Sequence, residues 1–73
     1  MIIRSQDKEA ITTDLNLLID TWGNEYVIKN KLFNLAWYST KEKAIKVLDM
    51  IYEEYQLSIH NCKAFQMPQD NEV

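Results

Sequence analysis

Only one glycine stands among the 73 residues, so one position alone reaches a positive φ at no steric cost. That position is Trp22-Gly23-Asn24-Glu25, where Gly and Asn suit the two central residues of a tight hairpin. Pairing outward from the turn sets Thr21 opposite Tyr26 and Ile19 opposite Ile28. Asn30-Lys31 offers a second two-residue turn, because Asn tolerates the left-handed region. It sets Ile28 opposite Phe33 and Tyr26 opposite Leu35. Both turns then agree on one apolar face: Leu17, Ile19, Tyr26, Ile28, Phe33, Leu35 and Trp37.

The flanking residues extend this meander. Met1–Gln6 reads as a short strand, with Asp7-Lys8 as turn chemistry. Residues 9–19 read two ways: Ala10, Ile11, Asp14, Leu15 and Leu18 suit a helical face, whereas Leu15, Leu17 and Ile19 alternate as in a strand. The β-branched Thr12 and Thr13 favour strand for the second half. Ser39-Thr40-Lys41-Glu42 fits a capping box, and Ala44, Val47, Leu48, Ile51 and Tyr55 form a helical stripe about four turns long. Lys63–Met67 reads as a last strand that Pro68 stops. The fold expected is α+β: a small antiparallel meander of three to five strands, packed by one long helix in the C-terminal half. A single domain would occupy residues 1–68, and 69–73 would be a flexible acidic tail.

Composition narrows the function. A domain this small supplies about 3–5 kcal/mol from one core, and the lone Cys62 provides neither a disulfide framework nor a multi-cysteine zinc site. No apolar run reaches ~18 residues and no secretory pattern opens the chain, so the expectation is a reducing cytoplasm, with no membrane contact. His60 and Cys62 are the only nucleophile–base pair, and nothing supplies the third group that would orient the base. Gly23 alone cannot build a phosphate loop. Asp49 and Glu53 share a helix face, with Glu54 beside them, and read as a solvated acidic surface rather than a catalytic pair. The chain is therefore expected to be no enzyme, with no cofactor, metal or catalytic residue.

The second face of the meander is more telling. In the register above it presents Leu18, Trp22, Val27, Lys29, Leu32, Asn34, Ala36 and Tyr38. One helix covers one side of a sheet, and an antiparallel sheet ordinarily turns a polar face to water. The expectation is a partner-binding patch, with Trp22 and Tyr38 as anchors, Leu18 and Leu32 beside them, and Lys29, Asp20 and Glu25 at the rim. Glu53 and Glu54, late in the helix where the macrodipole disfavours acids, form with Asp49 a secondary acidic surface that a partner could use. Two other readings stand beside this one. Lys29, Lys31, Lys41, Lys43 and Lys46 make a basic strip between acidic ends, but without clustered arginine it is a poor nucleic-acid footprint. The apolar sheet face could also be the two-fold interface of a homodimeric assembly factor.

Three blocks carry a resemblance: Met1-Ile-Ile-Arg-Ser-Gln-Asp-Lys8, Trp37-Tyr-Ser-Thr-Lys-Glu-Lys-Ala-Ile-Lys-Val-Leu-Asp-Met-Ile51, and Phe65-Gln-Met-Pro-Gln-Asp-Asn-Glu-Val73. In these the chain resembles a group of small uncharacterised proteins from phages and mobile elements of Gram-positive bacteria. The blocks cover about half the chain, and the stretch between them is shorter and more divergent than in usual members. The resemblance implies a phage or integrated-element origin and no particular activity. Small phage accessory proteins often bind and inhibit host proteins, CRISPR effectors among them. By that analogy the expected partner is a host protein, a Cas nuclease being one form of it.

Overall fold

The computed structural model describes residues 1–57 and 64–73. Its strands are β1 (Ile2–Arg4), β2 (Ile11–Thr12), β3 (Leu18–Trp22), β4 (Glu25–Lys29), β5 (Asn34–Tyr38) and β6 (Ala64–Gln66), with one helix, α1 (Lys41–Leu57). The strands form two three-stranded sheets, in the orders β3-β4-β5 and β2-β1-β6. The first is the antiparallel meander, and α1 packs on its β4 and β5. In the second, β1 runs antiparallel to β2 and parallel to β6. The architecture is α+β, as the sequence pattern implies.

The first hairpin has the expected register, Thr21 opposite Tyr26 and Ile19 opposite Ile28. Gly23 takes φ +59° and Asn24 does not share the positive φ, the arrangement of a turn with Gly at its first central position. The second hairpin departs from expectation. Its loop spans four residues, 30–33, rather than two. Asn30 closes it by accepting from the Leu32 and Phe33 amides at 2.9 and 2.8 Å, while the Asn30 amide donates to the Phe33 carbonyl at 3.0 Å. Lys29 then pairs with Asn34, and after a register shift Ile28 pairs with Ala36, Val27 with Trp37 and Tyr26 with Tyr38. A slip by an odd number of residues turns a strand over. Ala36 and Tyr38 therefore face the core and Trp37 faces out. The Tyr38 side chain, expected as an exposed anchor, is 1% exposed, and its hydroxyl donates to the Pro68 carbonyl at 2.8 Å. Burial, with the Asp70 and Glu72 carboxylates adding to it, pushes its phenol well above the ordinary 10.

The core joins Ile28, Ala36 and Tyr38 of the meander to Ala44, Val47 and Ile51 of α1, to Ile3 of β1 and to Met67 just after β6. Burying one such aliphatic side chain contributes about 2 kcal/mol. Leu35 is buried, while Phe33, expected inside, is 38% exposed. In the 9–19 region only Ile11 and Thr12 pair as a strand before Leu18 begins β3, and 13–17 carry no regular structure. Leu15, Leu17 and Ile19 nonetheless pack against the core, so their alternation marks the correct side.

Side chains from the termini splice the two sheets together. The Gln6 amide donates to the Leu35 carbonyl at 2.7 Å, its Oε1 accepts from the Trp37 amide at 2.9 Å, and its Nε2 donates to the Trp37 and Pro68 carbonyls at 3.2 and 3.0 Å. Gln6 thus satisfies the free edge of β5 as a partner strand would. Gln69 Nε2 donates back to the Gln6 carbonyl at 2.9 Å. Residues 69–73, expected as a frayed tail, instead hold a short 3-10 turn over Asp70–Glu72. Asp70 Oδ1 accepts from the Ser39 amide at 2.8 Å and from Ser39 Oγ at 3.0 Å, and Lys43 Nζ reaches the Asp70 carbonyl at 2.9 Å. Ser39 is thereby occupied. Thr40 caps α1 in its place, its Oγ1 accepting from the Lys43 amide at 3.2 Å, so the capping box expected at Ser39–Glu42 does not form. The three blocks of the resemblance, far apart in the chain, meet at this one junction.

Candidate functional site

The β3–β4 register and the period of two place Leu18, Asp20 and Trp22 on the meander face that α1 does not cover, together with Glu25, Val27 and Lys29 of β4. Trp37 joins them as the partner of Val27. Of the residues expected there, Trp22 is 51% exposed, Leu18 50%, and Leu32, at the tip of the second loop, 75%. Glu25 is exposed and Lys29 and Asp20 are half-buried. Tyr38 is the exception, placed on the opposite face by the register described above.

Asp20 organises this surface. Its Oδ2 accepts from Trp22 Nε1 at 3.0 Å, its Oδ1 accepts from the Thr21 amide at 2.9 Å, and Lys29 Nζ lies 4.0 Å from Oδ2. An ion pair this exposed contributes little to stability. Its consequence is orientation: the Trp22 indole is tethered two residues from its own carboxylate partner while half of its surface stays in water. Next to it Val27 is fully buried although it faces away from α1, and its cross-strand neighbours are Asp20 and Trp37. The face therefore holds a dry valine between Asp20 and Trp37, with the Trp22 indole tethered to the same Asp20.

Trp37 is the residue that sequence reasoning assigned to the wrong side. Leu35-Ala36-Trp37-Tyr38 is four apolar residues in a row, and a run without alternation carries no information about which residue points inward. A signal did exist in Asn30, whose side chain can close a longer loop than the two-residue turn.

The other expected residues separate. Asp49 and Glu53 are exposed on α1, one turn apart, and Glu54 is half-buried. Among the described residues no group of three or more acidic, His or Cys side chains could hold a metal ion. His60 and Cys62 lie outside the described residues. Of the five lysines of the basic strip, Lys29 pairs with Asp20 and Lys43 with Asp70, which offsets the charge of those two. No described helix is long and apolar enough to cross a membrane. No protein-family model, curated protein or solved structure matches the chain.

Proposed function

We propose that this chain is a non-enzymatic accessory protein of a phage or mobile element, acting in the bacterial cytoplasm by binding a host protein and inhibiting or redirecting it. The observation that carries the reading is the tethered Trp22 indole, half exposed on the sheet face that α1 leaves uncovered and that also carries Val27 and Trp37. Aromatic side chains held in place lose little entropy on binding, and they dominate the energetics of protein interfaces. Trp22 and Trp37 act as anchors, Leu18 and Leu32 extend the apolar contact, and Asp20, Glu25 and Lys29 fix register and speed encounter. Inhibition follows from occlusion of the partner's working surface. A CRISPR effector nuclease is the first partner to test, on the analogy that the three sequence blocks carry.

Affinity capture from lysate of a Gram-positive host, read by mass spectrometry, tests this directly. Trp22→Ala is expected to weaken capture of the enriched host protein about 30-fold, the effect of a hot spot of about 2 kcal/mol. Circular dichroism and melting temperature should be nearly unchanged, since the ring is half in water. Capture that persists at full strength in both Trp22→Ala and Trp37→Ala sinks the proposal. The lysine-strip reading predicts retardation of nucleic acid at low salt that fades steeply as salt rises, which a gel shift decides.

A further inference from the structure

The two edges of the meander are finished differently. Gln6 supplies partners along β5, whereas β3 has β4 as its only strand neighbour among the described residues. The Gly23 turn fixes which groups the open side of β3 presents. The residues flanking a two-residue loop, here Trp22 and Glu25, form a hydrogen-bonded pair, and such pairs alternate along an antiparallel ladder. Leu18, Asp20 and Trp22 therefore bond to β4, and the backbone N–H and C=O groups of Ile19 and Thr21 point out of the sheet. The sequence along this edge, Leu17-Leu18-Ile19-Asp20-Thr21-Trp22, is apolar or β-branched at every position but one. An edge of that kind is a template for a further strand, and above all for a copy of itself.

The exception is Asp20, the only charge between Asp14 and Glu25. Its carboxylate folds back onto the edge. Oδ1 accepts from the Thr21 amide at 2.9 Å, one of the two donors that an incoming strand would need. The carboxylate is held in place, because Oδ2 accepts from Trp22 Nε1 at 3.0 Å and Lys29 Nζ stands 4.0 Å away. A carbonyl approaching Thr21 would thus meet a carboxylate oxygen where it needs a free N–H. Self-pairing meets a second obstacle. When two copies of β3 run antiparallel and use both outward residues, Ile19 lies opposite Thr21 of the other copy, and Asp20 lies opposite Asp20. Like charges directly opposite each other are destabilising. We infer that Asp20 guards the open edge of β3, its carboxylate capping the Thr21 amide so that the meander does not extend onto a second copy of this chain. The edge is distinct from the sheet face that carries Trp22, Val27 and Trp37, so this role holds whatever that face binds.

The test compares the full chain with Asp20→Thr, which removes the charge and the cap while keeping a β-forming residue. Sedimentation equilibrium should find the parent chain monomeric up to about 1 mM and the variant dimerising with a Kd of about 100 μM or below, at least a tenfold gain. In the variant, hydrogen exchange at the Ile19 and Thr21 amides should slow as concentration rises, while the Leu18 and Trp22 amides, already bonded to β4, should not change. Thr21→Pro removes the outward donor and leaves the β4 ladder alone, since proline is tolerated where the N–H of an edge strand faces solvent. Added to Asp20→Thr, it should return the chain to a monomer, with circular dichroism reporting an intact fold. Should the double variant not fold, the exchange pattern decides alone. An Asp20→Thr chain that stays monomeric would overturn the role, as would association in which the Ile19 and Thr21 amides stay fast or that survives Thr21→Pro. A parent chain that already pairs through this edge would overturn it too.

Discussion

The two hairpins that share β4 differ in what sets their register, and the difference decides which aromatic ring meets solvent. At Gly23 the constraint is in the backbone: one residue free to take φ +59° fixes a two-residue loop, and every pair from Trp22–Glu25 to Leu18–Lys29 follows. At Asn30 the constraint is a side chain with distant obligations. Its carbonyl oxygen closes the loop on the Leu32 and Phe33 amides, while its amide nitrogen is held by Thr12 and Asp14. A loop whose length depends on a partner 16 to 18 residues away is not a local object.

Asn30→Ala is the largest way to break the contrast. It removes four side-chain hydrogen bonds from a site with no access to water, leaving Thr12 Oγ1 and the Asp14 carbonyl short of a donor. The expected cost is about 3 kcal/mol, which in a domain of this size lowers the melting temperature by roughly 15 °C. Thermal unfolding followed by circular dichroism measures it. A loss below about 1 kcal/mol would show that the loop closes without its distant partners. The variant should also loosen the irregular segment 13–17, because the same amide holds the Asp14 carbonyl.

Gly23→Ala is the smaller, local counterpart. A Cβ at this position would meet nothing within 4 Å, so the whole penalty is conformational. Placing Ala in the left-handed region costs about 1 kcal/mol, and urea denaturation should show that loss with an unchanged m-value. A larger loss would mean that the hairpin opens rather than strains.

The same division explains what could be read in the sequence. The Gly23 hairpin, the α1 stripe at Ala44, Val47 and Ile51, the first strand and the Asp7-Lys8 turn all rest on local pattern, and Lys8 does take φ +66°. The β5 register, the cap of α1 and the order of the last five residues each depend on polar side chains from elsewhere: Asn30, Asp70, and Ser39 with Lys43. Periodicity records which residues are apolar, and it is silent about which distant amide a carboxylate will satisfy. The facing of the β3 and β4 residues was legible because the Gly23 turn fixes their register, even though Leu17-Leu18-Ile19 and Tyr26-Val27-Ile28 do not alternate. The facing on β5 was not, because Leu35-Ala36-Trp37-Tyr38 does not alternate either and its register depends on Asn30, and the cost was exchanging Trp37 for Tyr38.

Asp70 sharpens the comparison from the exposed side, and its effect should be the smallest. Like Asn30 it ends an element from far away, but water reaches it. The Ser39 amide above all, then Ser39 Oγ and Lys43, holds its carboxyl below the ordinary 3.8. A carboxylate whose value is lowered in the folded state contributes stability above its unfolded value, and that contribution fades as pH falls through the folded one. Asp70→Asn should therefore lower the melting temperature by a few degrees at neutral pH. The two proteins should converge as pH falls from about 4 toward 2. High salt should narrow the gap only in part, because the Ser39 amide bond is not an ion pair. A difference that persists undiminished at pH 2 would assign the effect to lost packing of the 3-10 turn instead of to the carboxylate's charge.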